Sequence, residues 1–180
     1  MIRKVRKLFF VWQFDKEEKW LNEMSANGLQ LKSVGFCTYN FEVGTPGEYI
    51  YRLELLDKHP THVRSEQYIR FIEDTGAEHI GSIFRWVYFR RKASLGGFEL
   101  YSDLKSRISH LNRILLLSGA LLPISLFNSF NVLQMWFRMG EPLSLVLSAT
   151  CFLLCIFLGY GFVRILLKRH SMKKERVLHE

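Results

Sequence analysis

The sequence predicts an α+β fold: an antiparallel sheet with two helices on one face, then an amphipathic connector helix and a two-helix transmembrane hairpin. Three observations predict it. The last third of the chain holds two long apolar runs, Ile114–Val132 and Leu143–Val163, separated by a short polar break. Residues 1–95 instead alternate amphipathic helical stretches with short runs of period-two hydrophobicity. Within those residues an echo recurs at an offset of 48: Trp20 with Tyr68, Leu21 with Ile69, Met24 with Ile72, Gly28 with Gly76, Phe36 with Phe84 and Phe41 with Phe89. A duplicated β-α-β-β is therefore the candidate topology of the first domain.

Each element follows from local chemistry. Lys7–Phe14 reads as an opening strand. Asp15 is a candidate N-cap, with Glu17 and Glu18 in the first turn, where carboxylates favour the helix dipole. Trp20, Leu21, Met24 and Asn27 recur on one face, and Gly28 supplies the left-handed residue that closes the helix. Strands are expected at Leu29–Val34 and Phe36–Val43. The turn Thr45-Pro46-Gly47 then leads into Tyr49–Leu55, where Ile50, Arg52 and Glu54 share one side. Thr61 is a candidate cap for a second helix through Arg64–Thr75, closed by Gly76 and followed by strands Glu78–Ile83 and Arg85–Arg91.

Residues 96–113 link this domain to the apolar runs. Gly96-Gly97 is a candidate hinge, and Leu100, Leu104, Ile108 and Leu111 recur at helical spacing, giving an amphipathic juxtamembrane helix. The run at 143–163 contains no Asp, Glu, Lys, Arg or His. As a helix it extends roughly 31 Å, the thickness of a bilayer's hydrocarbon core. Lys105, Arg107 and Arg113 precede the first span, and Arg164, Lys168, Arg169, Lys173, Lys174 and Arg176 follow the second. The connector, roughly Leu133–Pro142, offers only Arg138 with Glu141. Basic residues are retained on the cytoplasmic side, so both termini are expected there and the connector outside, in a cell membrane. Leu8–Trp12 is too short for the apolar core of a secretory signal. In the second span Ser148, Cys151, Cys155 and Gly159 fall on one face, a candidate helix-packing seam. Asn128, Asn131 and Gln134 of the first either mark its exit into the headgroup region or hydrogen-bond a partner helix.

The net charge of +8 is concentrated near the spans. The tail 164–180 carries six Lys or Arg against Glu175 and Glu180, which suits an anionic headgroup layer. A lipid bilayer is the expected partner, and nucleic acid is not, because no basic patch is interleaved with aromatics. Cys37, Cys151 and Cys155 form no disulfide framework or metal spacing. No phosphate-binding glycine loop or nucleophile elbow is present. His59 and His62 flank a proline turn with no third ligand nearby, and are read as solvated. Neither a cofactor nor a metal site is expected. The most polar constellation near the membrane is Glu99, Asp103 and Arg107, a candidate connector site, in which Asp103 and Arg107 most simply form a surface pair.

Aromatic density is the remaining signal. Trp12, Trp20, Phe36, Phe41 and Phe89 join Tyr39, Tyr49, Tyr51, Trp86 and Tyr88, and the last five form a candidate binding surface on a sheet face left open by the helices. The leading expectation is a membrane-tethered cytoplasmic sensor or interaction module, with a membrane or regulatory protein, or a second copy of the chain, as candidate partner. Its alternatives are an accessory subunit of a membrane transporter and a membrane-associated enzyme using Glu99 or Asp103.

Several blocks in fixed order carry a family resemblance. They are Trp20-Leu21-Asn22-Glu23-Met24-Ser25-Ala26-Asn27-Gly28, Pro46-Gly47-Glu48-Tyr49-Ile50-Tyr51-Arg52, Trp86-Val87-Tyr88-Phe89-Arg90-Arg91-Lys92, Glu99-Leu100-Tyr101-Ser102-Asp103 and Ser106-Arg107-Ile108. Together they resemble the bacterial family DUF2812, whose function is unknown. Ala77 departs from the aromatic common after the second helix's glycine. The resemblance implies a cytoplasmic domain followed by membrane helices and, through a gene neighbourhood with PadR-like repressors, a regulated role at the membrane.

Overall fold

The computed structural model describes residues 2–100, 104–140 and 142–179, with side chains described for 2–100, 108–140 and 142–172. The chain divides into two compact units, Met1–Asp103 and Leu104–Glu180.

The first unit is two copies of one β-α-β-β motif. The first copy comprises β1 (Ile2–Arg6), α1 (Phe14–Ala26), β2 (Leu29–Gly35) and β3 (Thr38–Val43). The second comprises β4 (Tyr49–Leu55), α2 (Val63–Asp74), β5 (Ala77–Ile83) and β6 (Trp86–Lys92). Each copy closes its own three-stranded antiparallel sheet, ordered β1-β3-β2 and β4-β6-β5, with its last strand in the centre. The offset of 48 recurs in the irregularities. β2 slips register against β3 between Leu31 and Ser33, and β5 slips against β6 between His79 and Gly81. Both helices end on a left-handed glycine, Gly28 at φ 76° and Gly76 at φ 84°. Matching bulges and matching caps make the duplication a property of the backbone.

Three expected boundaries move. The opening strand is Ile2–Arg6, not Lys7–Phe14. β1 is an edge strand, so its charged Arg3, Lys4 and Arg6 stay in water and guard the edge. The apolar residues after it pack as rings instead: Phe9 against Trp20, Phe10 on Trp12 and Phe14 on Trp86. A 3₁₀ turn, Val11–Gln13, leads straight into α1, so Gln13 takes the cap position and Asp15 lies within the first turn. In the second copy the cap is His62, one residue after Thr61, and its Nδ1 accepts from the Arg64 N–H at 3.2 Å.

Packing explains why Tyr39, Tyr51 and Tyr88 do not lie on an open face. The sheet β4-β6-β5 is covered on both sides. On one side Ile69 and Ile72 of α2 pack with Val87 and Phe89, and Tyr68 donates to Glu54. On the other, Tyr51, Leu53 and Tyr88 join Leu21 of α1 and Leu31, Tyr39 and Phe41 of the first sheet in one core. α1 also closes the free edge of β4. Ser25 Oγ donates to Tyr49 O at 2.7 Å, Asn22 engages Tyr51, and Glu18 Oε2 accepts from Leu53 N at 3.1 Å. β2 and β5 approach each other, and Leu31 of β2 is satisfied by Tyr51 Oη on its N–H at 2.8 Å and by Arg90 on its carbonyl at 3.1 Å. The first unit extends past residue 95 because Phe98 is buried in the α2 core with Leu100 beside it. Arg91 donates to the carbonyls of Gly96 and Gly97, so the expected hinge is tied down.

The second unit is a pair of long helices, α3 (Leu104–Met139) and α4 (Pro142–His179), which turn at Gly140, φ 69°. α3 starts at Leu104 and runs unbroken through Pro123, so the connector helix and the first span are one element. Ile108–Met139 and Pro142–Met172 are each long and apolar enough to cross a membrane. Only 17% of each apolar window is buried, which sets them apart from the core helices of a soluble domain. Leu116, Phe127, Leu153 and Leu167 point outward.

Candidate functional site

A concave feature of the first unit lies where the chain enters α1. Its wall is built from the segment after β1 (Phe9, Phe10), the first turns of α1 (Phe14, Glu17), and both hairpin tips with the strands that leave them (Phe36, Tyr39, Phe84, Trp86, Tyr88). The duplication explains why two hairpins serve one site. The β2–β3 and β5–β6 turns are two-residue loops at equivalent positions, Phe36-Cys37 and Phe84-Arg85. Each tip puts a phenylalanine at 76% exposure at the rim. The cavity volume is about 180 Å³, and the cavity is open on one side.

Two charged residues line this largely apolar space, Glu17 and Lys7. Glu17 is 8% exposed, and the hydroxyls of Tyr39 and Tyr88 both donate to its Oε1 at 2.6 Å. Two of the aromatics expected on an open face are thus turned inward onto a carboxylate. Burial pushes Glu17 above the ordinary carboxylate range, while the two hydroxyl bonds pull against that shift. Burial and the adjacent Glu17 both raise the tyrosines, so their hydroxyls keep their protons as donors. Lys7, at the same wall, lies over the rings of Phe9 and Trp20 at 5.0 and 4.5 Å.

The expected site residues are distributed as follows. Tyr39, Tyr51 and Tyr88 are 3%, 1% and 4% exposed, so these three are interior, while Tyr49 and Trp86 are half-buried. The reason is the second cover on the β4-β6-β5 sheet, which the sequence did not show. Tyr39, Trp86 and Tyr88 line the cavity. Tyr51 bonds Leu31 and Gln30, and its hydroxyl is pushed up to about 12, mainly by burial. Tyr49 lies under the Arg90 guanidinium at 4.2 Å. Glu99 is exposed and pairs with Arg52 at 3.0 Å, which also reaches Glu18 at 3.2 Å. Asp103 and the side chain of Arg107 lie outside the described residues.

Within the second unit, the small-residue seam faces α3. Ser148 and Ser129 exchange hydroxyl-to-carbonyl bonds at 3.2 and 3.3 Å, Cys155 Sγ meets Ser125 Oγ at 2.8 Å, and Gly159 adjoins Leu122. Cys151 is half-buried. Asn128, Asn131 and Gln134 are exposed on α3, and Asn131 bonds its own helix at Phe127 O.

Glu17 is the residue that sequence reasoning missed. Its signal was present: Phe14, Glu17, Leu21 and Ser25 form the buried stripe of α1, so a carboxylate occupied a core position of an amphipathic helix. First-turn carboxylates are ordinary dipole partners, and that explanation masked the stripe.

Fold and site together define a duplicated β-α-β-β domain with an aromatic, carboxylate-bearing cavity, followed by two helices long and apolar enough to cross a membrane. The chain belongs to the DUF2812 family, described as a protein of unknown function, which matches residues 13–122. No curated protein and no solved structure matches it.

Proposed function

We propose that this chain is a two-span membrane protein whose α+β domain is a ligand-sensing module at the cytoplasmic face, with the Glu17 cavity as its binding site. The observation that carries the reading is that cavity: a buried carboxylate held by two tyrosine hydroxyls and walled by aromatic rings. A mostly apolar concavity with a few convergent polar groups is the usual form of a small-molecule site. The basic residues flanking the apolar helices support a cytoplasmic domain and a cytoplasmic tail beside anionic headgroups. Ligand binding would act on whatever the domain engages: a membrane or regulatory protein, or a second copy of the chain.

The test is purification of the full chain from native membranes in mild detergent, with mass spectrometry of the small molecules that accompany it. The comparison is Ile83→Trp, which places a bulky ring in the cavity wall. A compound enriched with the native chain and lost from a folded Ile83→Trp variant supports the reading. Identical small-molecule profiles for the two would count against it.

A further inference from the structure

Glu17 places a buried carboxyl group in the cavity wall. Among the described residues no Lys, Arg or His lies within ion-pairing distance of its carboxylate. Both tyrosine hydroxyls converge on Oε1, leaving Oε2 without a hydroxyl donor. An isolated buried carboxylate is costly unless a counter-charge reaches it. Two buried tyrosines aimed at one oxygen nevertheless favour the ionised form and fix its orientation.

The aromatic part of the wall suits a cation. Phe9, Phe14 and Trp86 line the same cavity as the carboxylate, and aromatic faces attract cations. The chain shows that affinity with its own ammonium, since Lys7 Nζ lies over Phe9 and Trp20. The volume of about 180 Å³ sets the scale of the guest. A cavity of about 150 Å³ accommodates benzene, so one ring with a short polar arm fits. An anion would meet the Glu17 charge, and a neutral ring would gain only the apolar contact.

From this geometry we infer that the cavity recognises a small organic cation bearing one aromatic ring, with Glu17 as its counter-ion and Tyr39 and Tyr88 as the groups that position the carboxylate. The inference rests on the cavity being the domain's binding site, and names the chemistry that site selects. The ammonium head would lie against Oε2, its ring against the stacked pair Phe14 and Trp86.

The experiment uses the full chain in an uncharged detergent and three water-soluble probes of one size: benzylammonium, benzyl alcohol and benzoate. Binding is followed by calorimetry and by the fluorescence of the native tryptophans. Saturable binding of benzylammonium is expected, weaker binding of benzyl alcohol, and none of benzoate. Glu17→Gln keeps a hydrogen-bond acceptor for the tyrosines and removes the charge, so it should weaken benzylammonium by about tenfold and benzyl alcohol by less than about twofold. Tyr88→Phe keeps the ring and removes one donor, with a smaller loss for the cation only. It serves as the readout where Glu17→Gln does not fold. Equal binding of benzylammonium and benzyl alcohol overturns the inference, and so does binding of benzylammonium that neither variant changes. In both cases the cavity remains a binding site of another selectivity. Absence of saturable binding by all three also overturns it, and the Ile83→Trp comparison then decides separately whether the cavity binds anything.

Discussion

Asn22 of α1 holds both backbone groups of Tyr51 on β4: its Oδ1 accepts from the Tyr51 N–H at 2.9 Å and its Nδ2 donates to the Tyr51 carbonyl at 3.1 Å. This two-point contact is what a neighbouring strand would make. β4 is an edge strand, and its inward row of amides would otherwise be stranded against a helix. One amide side chain replaces a rung of the ladder, with Ser25 and Glu18 satisfying the rungs on either side.

Replacing Asn22 by Leu keeps the volume and leaves the Tyr51 N–H without a partner, while the carbonyl keeps Arg52 Nη1 at 3.0 Å. The expected loss of stability is roughly 2 kcal/mol, the cost of stranding a partly buried donor. Asn22→Asp retains the acceptor and should cost less. Denaturant unfolding of the detergent-solubilised chain, followed by tryptophan fluorescence, measures both. Equal stability of the native chain and Asn22→Leu would show that water replaces the contact.

Acid should stabilise the domain locally. Burial is the main cause that lifts Glu18 from 4.5 to about 6, against the pull of Arg52 and the Leu53 N–H. Its folded-state affinity for the proton exceeds that of the unfolded chain, so its contribution is most favourable below 4.5. That contribution falls as pH rises toward 6 and is fully unfavourable above it. The change amounts to roughly 2 kcal/mol for this one group. Unfolding midpoints of the native chain across that window should fall more steeply than those of Glu18→Gln. Parallel profiles would mean the carboxylate is solvated.

The pairing of α3 and α4 is testable by cross-linking. Ser129 and Ser148 meet through reciprocal bonds of 3.2 and 3.3 Å. With the native cysteines removed, Ser129→Cys and Ser148→Cys together should form an intramolecular disulfide under mild oxidation, whereas a cysteine at exposed Leu153 should not pair with one at position 129. Equal cross-linking of both pairs would indicate sliding helices.

Orientation has its own measurement. In a cysteine-free background, a cysteine replacing Gly140 should react with an impermeant thiol reagent added to intact cells, and one at position 175 should react only after lysis. The reverse pattern would place the domain outside and separate it from any cytoplasmic ligand.

The duplication was legible because each copy repeats local signals: a glycine in the left-handed region, a hairpin phenylalanine, an apolar helix stripe. Boundaries were less so. Leu8–Phe14 had the apolar density of a strand, yet β1 precedes it, because a charged edge strand tolerates water and the rings after it have a cavity to line. His62 displaced Thr61 as a cap, since either side chain satisfies a helix amide and the chain's path chose between them. The aromatic set was recognised as important, but its direction was not. Alternation says which residues share a face, and says nothing of what covers that face.

What composition and spacing settle here are terms that depend on neighbours in the chain. The two helices long and apolar enough to cross a membrane follow from runs of about 20 consecutive apolar residues, and the α+β class follows from hydrophobic periods of 2 and 3.6. The site depends on a different scale. Tyr39 and Tyr88 lie 22 and 71 positions from the carboxylate they share, and no local pattern couples groups at those separations. Only the meeting of two sheets over α1 removes Glu17 from water, and that desolvation turns an ordinary first-turn glutamate into the buried carboxyl group of a cavity.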